Sequence, residues 1–242
     1  FAKKSLASKA KARPDLVRKV IDKAKREGLK ATFQTVKTRL DEPLPLGYSA
    51  MGKITAVGAG LEGVYTIGQR VAMAGAGVAN HAELNSVPKN LLAAVPHDVS
   101  DEAASFATLG AIAIHAVRNL NATLGDIVAV IGCGLVGQLV CQFLTLSGAR
   151  VIALDYNPAR LDLAKTLGTE MAQNLADDGL DSKIKAITSG RGCDGIIIAA
   201  ATESNEPFLT AAEIARDRAR VVMVGLTGTA FPYSEFMQKE LN

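Results

Sequence analysis

Residues 127–137 read IVAVIGCGLVG, a run of five apolar residues that leads directly into a turn containing three glycines. An apolar run without polar alternation predicts a strand covered on both faces of a parallel sheet. In the G-x-G-x-x-G pattern, Gly132 allows the tight turn, Gly134 lets a pyrophosphate approach the backbone, and Gly137 lets the next helix pack closely on the strand. Free N–H groups and the positive end of that helix would then meet the phosphates.

An acidic residue follows the second predicted strand. That strand covers residues 149–154 and ends in Asp155, twenty-three residues after Gly132. A carboxylate there can accept hydrogen bonds from both ribose hydroxyls of an adenosine and would repel a 2′-phosphate, which favours NAD over NADP. Asp155 could instead merely begin a turn, because Asn157 and Pro158 are themselves a good N-cap and first helical residue.

Further contacts to the dinucleotide are expected at the same edge of the sheet. Arg160, one turn into the next helix, could stack on adenine or attract a 2′-phosphate, and Asp155 favours the first interpretation. Rim contacts are expected after the later strands. The predicted cofactor-binding residues are Gly132, Gly134, Leu135, Val136, Gly137, Asp155, Tyr156, Arg160, Ala200, Ala201, Gly225 and Leu226.

The second half of the chain repeats the strand-and-helix pattern. Apolar runs at 127–131, 151–154, 196–200 and 221–224 alternate with helical stretches at 136–147, 158–167 and 206–217. This series predicts a doubly wound α/β domain over residues 121–242. A methyltransferase that binds S-adenosylmethionine also uses a glycine turn and an acid, but the third glycine and the preceding barrel-like segment favour a dinucleotide.

Residues 41–100 have a different texture. Short β-like runs at 52–58, 69–73 and 82–87 are separated by turns that contain Gly and Pro, and they predict a small, mostly antiparallel barrel or part of one. Residues 101–120 are rich in alanine and predict a helix that bridges to the next region, with His115 buried in it.

The N-terminal segment is strongly basic. Residues 1–40 hold thirteen Lys and Arg against three acids, although the whole chain has a net charge of only +3. An apolar stripe predicts amphipathic helical structure within residues 3–39, where Pro14 suits the first turn of a helix and Gly28 suits its end. Residues 3–39 contain one aromatic residue, Phe33, and therefore no set of aromatic side chains on which bases could stack. A packed helical arm is favoured over a nucleic-acid site.

Composition excludes several other classes. The chain of 242 residues is 48% hydrophobic and has no apolar run long enough to span a membrane, so no membrane partner is expected. Cys133, Cys141 and Cys193 have no paired spacing, which is typical of a cytoplasmic protein with reduced thiols.

The order of a barrel-like segment, a linking helix and a dinucleotide domain resembles the medium-chain dehydrogenase/reductase superfamily, the group of zinc-type alcohol dehydrogenases and quinone reductases. The resemblance includes PLGYSAMG at 45–52, GQRV at 68–71 and RVVMVG at 220–225. Residues 1–28 look like a branch of bacterial bi-domain oxidoreductases, in which a sugar-oxidoreductase-like half follows. The resemblance implies a basic helical insertion at 1–42, a partial GroES-like catalytic domain with its linking helix at 43–120, and a Rossmann domain at 121–242 that lacks its last strand.

The resemblance also sets an expectation about metal. Zinc-using members have a His-Glu pair where this chain has Tyr48 and Ser49, and a Cys or Glu near the position of Thr108, while the first zinc cysteine would lie upstream of Phe1. Hydroxyl side chains are not usual zinc ligands. No catalytic zinc is therefore expected. No four-cysteine lobe fits between Val71 and His81, so no structural zinc is expected either.

The implied activity is zinc-independent, NAD(H)-dependent hydride transfer to or from a carbonyl, an alcohol or an activated double bond, on a small molecule that could be a sugar or polysaccharide precursor. Tyr48 is the first candidate for a proton donor, with His81 and Thr108 as further candidates, although each could be structural. A homo-oligomer is expected. The alternative is a dinucleotide-binding module without its own turnover, serving a fused or partner enzyme.

Overall fold

A computed structural model describes residues 45–228 and 230–242, and before them Val17, Val20, Ile21, Asp22, Ala24, Lys25 and Gly28. The chain divides into two compact units, Phe1–Leu46 and Gly47–Asn242. In the first unit the described residues up to Lys25 are helical. Gly28 has a φ of +88° and its N–H donates to the Ala24 carbonyl at 3.0 Å, as predicted for a helix end. The rest of the predicted insertion at 1–42 lies outside the described residues.

The second unit begins with a small antiparallel sheet in the order β1-β2-β3. Its strands are β1 (Ser49–Lys53), β2 (Arg70–Ala74) and β3 (Leu92–Ala94). The predicted runs at 52–58 and 69–73 overlap β1 and β2, but the prediction of a strand at 82–87 was wrong. The Asn85 amide closes a loop there, because it accepts from the Asn80 N–H at 3.1 Å and donates to the Asn80 carbonyl at 3.0 Å.

The linking segment forms two helices, α1 (Asp101–Ser105) and α2 (Ala107–Leu120), where the sequence predicted one. The buried face of α2 consists of Ala113, Ala116 and Leu120. His115 falls outside that stripe and is exposed, so the prediction that it is buried was wrong.

The main sheet has five parallel strands in the order β6-β5-β4-β7-β8. The strands are β4 (Ile127–Ile131), β5 (Arg150–Asp155), β6 (Met171–Asn174), β7 (Cys193–Ile198) and β8 (Ala215–Met223). The helices are α3 (Leu135–Leu146), α4 (Pro158–Thr166), α5 (Leu180–Ile187), α6 (Glu206–Ile214) and α7 (Tyr233–Gln238). All five residues of β4 are buried between two apolar clusters, which confirms the predicted doubly wound α/β fold. Within the described ranges, no helix has the length and apolar character needed to cross a bilayer.

The prediction for this domain differs from the structure in two places. Neither the strand β6 nor the helix α5 was predicted from the sequence. β6 has only four residues and two of them are polar, so it contains no apolar run that would predict a strand. The predicted helix at 206–217 ends earlier, at Ile214, and β8 follows at once. The Lys239 ammonium terminates α6 by donating to the carbonyls of Ala212, Glu213 and Ala215 at 2.6, 2.9 and 2.7 Å.

Candidate functional site

A cleft of about 610 Å³ opens at the carboxyl ends of the parallel strands. β4 pairs with β5 on one side and β7 on the other, so the chain reverses its direction of winding at this point. Such a switch point separates the loops that follow the two strands and leaves a crevice between them. Nine of the twelve predicted cofactor-binding residues line it: Gly132, Gly134, Leu135, Val136, Asp155, Tyr156, Arg160, Ala200 and Ala201.

The three glycines of the turn have different structural roles. Gly132 has a φ of +95°, and an added Cβ would lie 2.6 Å from the Ala200 Cα and N atoms. A Cβ on Gly137 would overlap the Gly132 carbonyl oxygen. Gly134 has a φ of −72° and an added Cβ would meet no atom within 4 Å, so only this glycine leaves open space beside the backbone.

Helix α3 starts at this turn, with Gly134 as its N-cap. Its first helical hydrogen bond runs from the Gln138 N–H to the Gly134 carbonyl at 2.8 Å. The N–H groups of residues 135–137 therefore precede the helical ladder. The first turn contains no acidic residue, so a phosphate there would meet N–H donors and a positive helix dipole.

Asp155 lies beside this turn and is only 6% exposed. Its Oδ2 accepts from the Cys133 N–H at 2.7 Å and contacts Nη1 of Arg160 at 3.4 Å, while Oδ1 accepts from the Asn157 N–H at 2.8 Å. A carboxylate offers about four acceptor positions, so one on Oδ1 is left for an incoming hydroxyl. The Arg160 contact is the longest of the three, and its side chain is half exposed, so it is the partner most easily displaced.

Three predicted cofactor-binding residues do not line the cleft. Gly137 supports the turn, as described above. A Cβ on Gly225 would overlap the Ala200 carbonyl oxygen, so this glycine lets the loops after β7 and β8 pack together. Leu226 is exposed, and its carbonyl accepts from the Thr202 N–H at 2.8 Å.

Several cleft residues were missed by the sequence analysis. They are Leu109, Leu175, Ser204, Glu206, Pro207 and Thr210. Leu175 follows β6, which has no clear strand signal of its own. The residues between 204 and 210 come from the start of α6, and the pairing of β4 with β7 brings them to the cleft. A search for polar residues after every apolar strand would have found Ser204 and Glu206.

Tyr48 is the predicted catalytic residue that reaches the cleft. It is 44% exposed and lines the wall together with Leu109. Thr108 instead turns its hydroxyl away, since Oγ1 donates to the Met73 carbonyl at 3.4 Å. His81 packs beside Gly47 and borders a separate hollow of about 940 Å³ on the small sheet. The structure therefore does not bring the three predicted catalytic side chains together.

The residues at the expected metal positions do not fit zinc. The Ser49 hydroxyl donates to the Ser105 carbonyl at 2.6 Å and accepts from the Thr108 N–H at 3.3 Å. The Ser49 and Thr108 hydroxyls are thus engaged with the backbone, and they tie the small sheet to the linking helices. Nowhere in the described part of the chain do three His, Cys, Asp or Glu side chains form a group that could hold a metal ion.

The cysteines are poor nucleophiles. Cys133, Cys141 and Cys193 are all free and buried. Burial, with a smaller effect of the Asp194 charge, raises the pKa of the Cys193 thiol to about 12. A hydrogen bond with Cys133, together with burial, raises the pKa of Cys141. All three side chains therefore serve packing.

Comparison with known proteins gives consistent matches. Residues 136–242 match the sequence model of the family described as zinc-binding dehydrogenase. (R,R)-butanediol dehydrogenase of Bacillus subtilis is 29% identical over 173 residues, which cover 61% of this chain and 49% of that protein. L-threonine 3-dehydrogenase of a Chelativorans species is 28% identical over 218 residues, which cover 78% of this chain and 62% of that protein.

The fold matches as well. The crystal structure of 2R,3R-butanediol dehydrogenase from Bacillus subtilis superimposes with a TM-score of 0.72 at 25% identity, covering 82% of this chain and 64% of that one. The chain thus spans from about half to less than two thirds of the length of these relatives. These matches support the resemblance found in the sequence: the chain is similar to dehydrogenases of the medium-chain dehydrogenase/reductase superfamily.

Proposed function

We propose that this chain carries the cofactor site, and part of the reaction site, of an NAD(H)-dependent oxidoreductase that works without zinc. The observation that carries the proposal is the buried carboxylate of Asp155, held beside the glycine turn by the Cys133 N–H with one acceptor position left over. A dinucleotide needs both features at one place: N–H donors for its pyrophosphate and an acceptor for its ribose hydroxyls.

The residues around the cleft fit such a cofactor. The turn at Gly132–Gly137 would hold the pyrophosphate and Asp155 would hold the adenosine ribose, while Tyr156 and Arg160 would border the adenine. When bound, the nicotinamide supplies the acceptor or donor of the hydride. A negative charge on Asp155 disfavours a 2′-phosphate, so NADH is the expected partner and NADPH the weaker one.

The reaction then requires a group that stabilises charge on the substrate oxygen. Tyr48 is our candidate for this group, and the proposal is supported by its half-exposed side chain, which lines the same cleft as the glycine turn. A phenol can donate a proton or hydrogen bond to a developing alkoxide. Zinc would do the same in metal-dependent relatives, but Tyr48, Ser49 and Thr108 offer only hydroxyl oxygens.

The substrate class follows from the relatives by analogy. Proteins named butanediol and threonine dehydrogenase support a small alcohol, or the corresponding carbonyl compound, as substrate. A sugar or polysaccharide precursor would fit the resemblance to bi-domain oxidoreductases. Such an enzyme would act on free small molecules and would need no nucleic acid or membrane.

Titration separates this proposal from its alternatives. The fluorescence of NADH and NADPH, and calorimetry with S-adenosylmethionine, would be followed with the full 242-residue chain. We expect NADH to bind more tightly than NADPH and S-adenosylmethionine not to bind. Tighter binding of NADPH would contradict the role given to Asp155. Binding of S-adenosylmethionine without NADH would indicate a methyltransferase, and NADH binding without turnover on a panel of carbonyl compounds would indicate a binding module.

A further inference from the structure

Gln138 is a polar side chain in a buried place. It lies in α3 and is only 8% exposed. Its Nε2 donates to two backbone carbonyls, that of Cys133 at 3.2 Å and that of Arg160 at 2.7 Å. Cys133 belongs to the glycine turn, and Arg160 belongs to the first turn of α4.

Asp155 holds the same two residues from another side. Its carboxylate accepts from the Cys133 N–H at 2.7 Å and contacts the Arg160 guanidinium at 3.4 Å. Cys133, Asp155, Arg160 and Gln138 therefore form a closed ring of polar contacts. The ring joins the turn that would face the pyrophosphate to the side chain that would face the ribose under the proposed function.

The orientation of the Gln138 amide is fixed by this ring. Both of its partners are carbonyl oxygens, so only the NH₂ group can face them. The Oε1 atom is left buried, and it has no hydrogen-bond partner in the described part of the chain. Burying an unpaired amide oxygen costs free energy, so stability alone does not account for a glutamine at this position.

We infer that Gln138 is a positioning residue for dinucleotide selectivity, an inference that rests on the proposed function. The amide holds the first turn of α4 against the glycine turn, and so keeps the Arg160 guanidinium beside Asp155 and away from the ribose. Loss of the donor would release that turn of α4. Arg160 could then leave Asp155 and approach a 2′-phosphate, because a guanidinium binds phosphate well.

Two substitutions test this in the full chain. Gln138→Glu keeps the shape but replaces the donor with a carboxylate oxygen that faces two carbonyl oxygens, and Gln138→Met removes both polar groups. The matched controls are Gln142→Glu and Gln142→Met, one turn further along α3, where the side chain is half-buried and Nε2 donates to the Gln138 carbonyl at 3.2 Å. The dissociation constants for NADH and NADPH would be measured by fluorescence, alongside the melting temperature.

We expect Gln138→Glu to weaken NADH binding by about tenfold, because both donor contacts that hold Arg160 and the glycine turn in place are lost, and to weaken NADPH binding less. The preference for NADH over NADPH should fall by about threefold or more, and the Gln142 variants should keep it within about twofold. Gln138→Met gives the same test if Gln138→Glu does not fold. An equal loss for both cofactors, or an unchanged preference, would show that Gln138 only supports the fold. If the unsubstituted chain binds neither cofactor, the proposed function itself fails, and the first titration reveals this.

Discussion

The Asp155 carboxylate holds the backbone N–H of Cys133 at 2.7 Å, across 22 residues of sequence. The carboxyl end of β5 is thereby fastened to the turn that follows β4, directly beside the open N-terminus of α3. One oxygen of this buried carboxylate accepts from the glycine turn, and the other retains an acceptor position for the ribose hydroxyl that we propose. The fold and the proposed ribose recognition thus depend on the same side chain.

Replacing Asp155 by asparagine should weaken NADH binding. The amide keeps the shape, but it removes the charge and presents an NH₂ group to either the Cys133 N–H or the ribose. We expect NADH affinity to fall by about tenfold or more and the preference over NADPH to shrink. Asp162→Asn, on the exposed side of α4, is the matched control and should change neither constant. Unchanged binding by Asp155→Asn would remove the central observation behind the proposed function.

Removing Arg160 should have the opposite effect on selectivity. Its guanidinium contacts Asp155 at 3.4 Å and partly neutralises the carboxylate. Arg160→Ala should therefore strengthen the repulsion of a 2′-phosphate, so NADPH binding should weaken by more than NADH binding. Competitive titration of both cofactors measures this. A larger loss for NADH would indicate that Arg160 supports the adenine instead.

The glycines of the turn allow stability and binding to be separated. Gly137→Ala would force a methyl group onto the Gly132 carbonyl oxygen and should destabilise the chain by about 1–3 kcal/mol. Gly134→Ala should leave the melting temperature nearly unchanged, because an added Cβ meets no atom within 4 Å. The same methyl group should nevertheless weaken NADH binding, since it occupies the approach of the pyrophosphate. Denaturant unfolding and NADH titration of both variants provide the comparison.

Replacing Tyr48 by phenylalanine tests the proton donor. With any carbonyl substrate that the unsubstituted protein reduces, Tyr48→Phe should lower kcat by about a hundredfold or more while the dissociation constant for NADH stays the same. Tyr233→Phe, at an exposed position on α7, serves as the control. Full activity of Tyr48→Phe would leave the polarising role to another group.

The burial of the three cysteines predicts how they react with thiol reagents. A thiol reagent should titrate none of the three buried cysteines in the native chain at pH 8 and all three after unfolding in guanidinium.

The pKa of Cys193 is raised to about 12 from its usual value near 9, so the folded state favours the neutral thiol. The resulting stability is complete below pH 9 and is lost as the pH rises toward 12. Cys193→Ala should reduce this alkaline loss in unfolding measurements between pH 8 and about 11. An identical pH dependence in the variant would contradict the assignment.

Much of the parallel sheet could be predicted because its signals are local. The apolar residues of β4 and β5 are buried on both faces, so their composition alone identifies them as strands of a parallel sheet. Gly132 and Gly137 could be identified because the strand-to-helix turn leaves no room for a side chain at either position. By contrast, β6 is a short edge strand with polar residues, and its pairing with β5 supplies what its sequence lacks.

The candidate site was predicted in part for the same reason. Residues that directly follow β4 and β5 were found, because the carboxyl ends of parallel strands meet at one edge of the sheet. The catalytic candidates came from three separate segments, and nothing local relates them in space. The structure brings Tyr48 to the cleft and leaves His81 on the small sheet.

The sequence by itself determined the doubly wound half, its glycine turn and the acidic residue that ends the second strand, since each is signalled by a local pattern of residue types. Only the tertiary structure decided the features that join distant segments. Lys239 ends α6 from 24 residues away, at the Ala215 carbonyl. Gln138 reaches the carbonyl of Arg160 across 22 residues. Such contacts form because the packing of helices on the sheet brings side-chain donors to unpaired carbonyls. The pattern of residues along the chain does not predict which donor will meet which carbonyl.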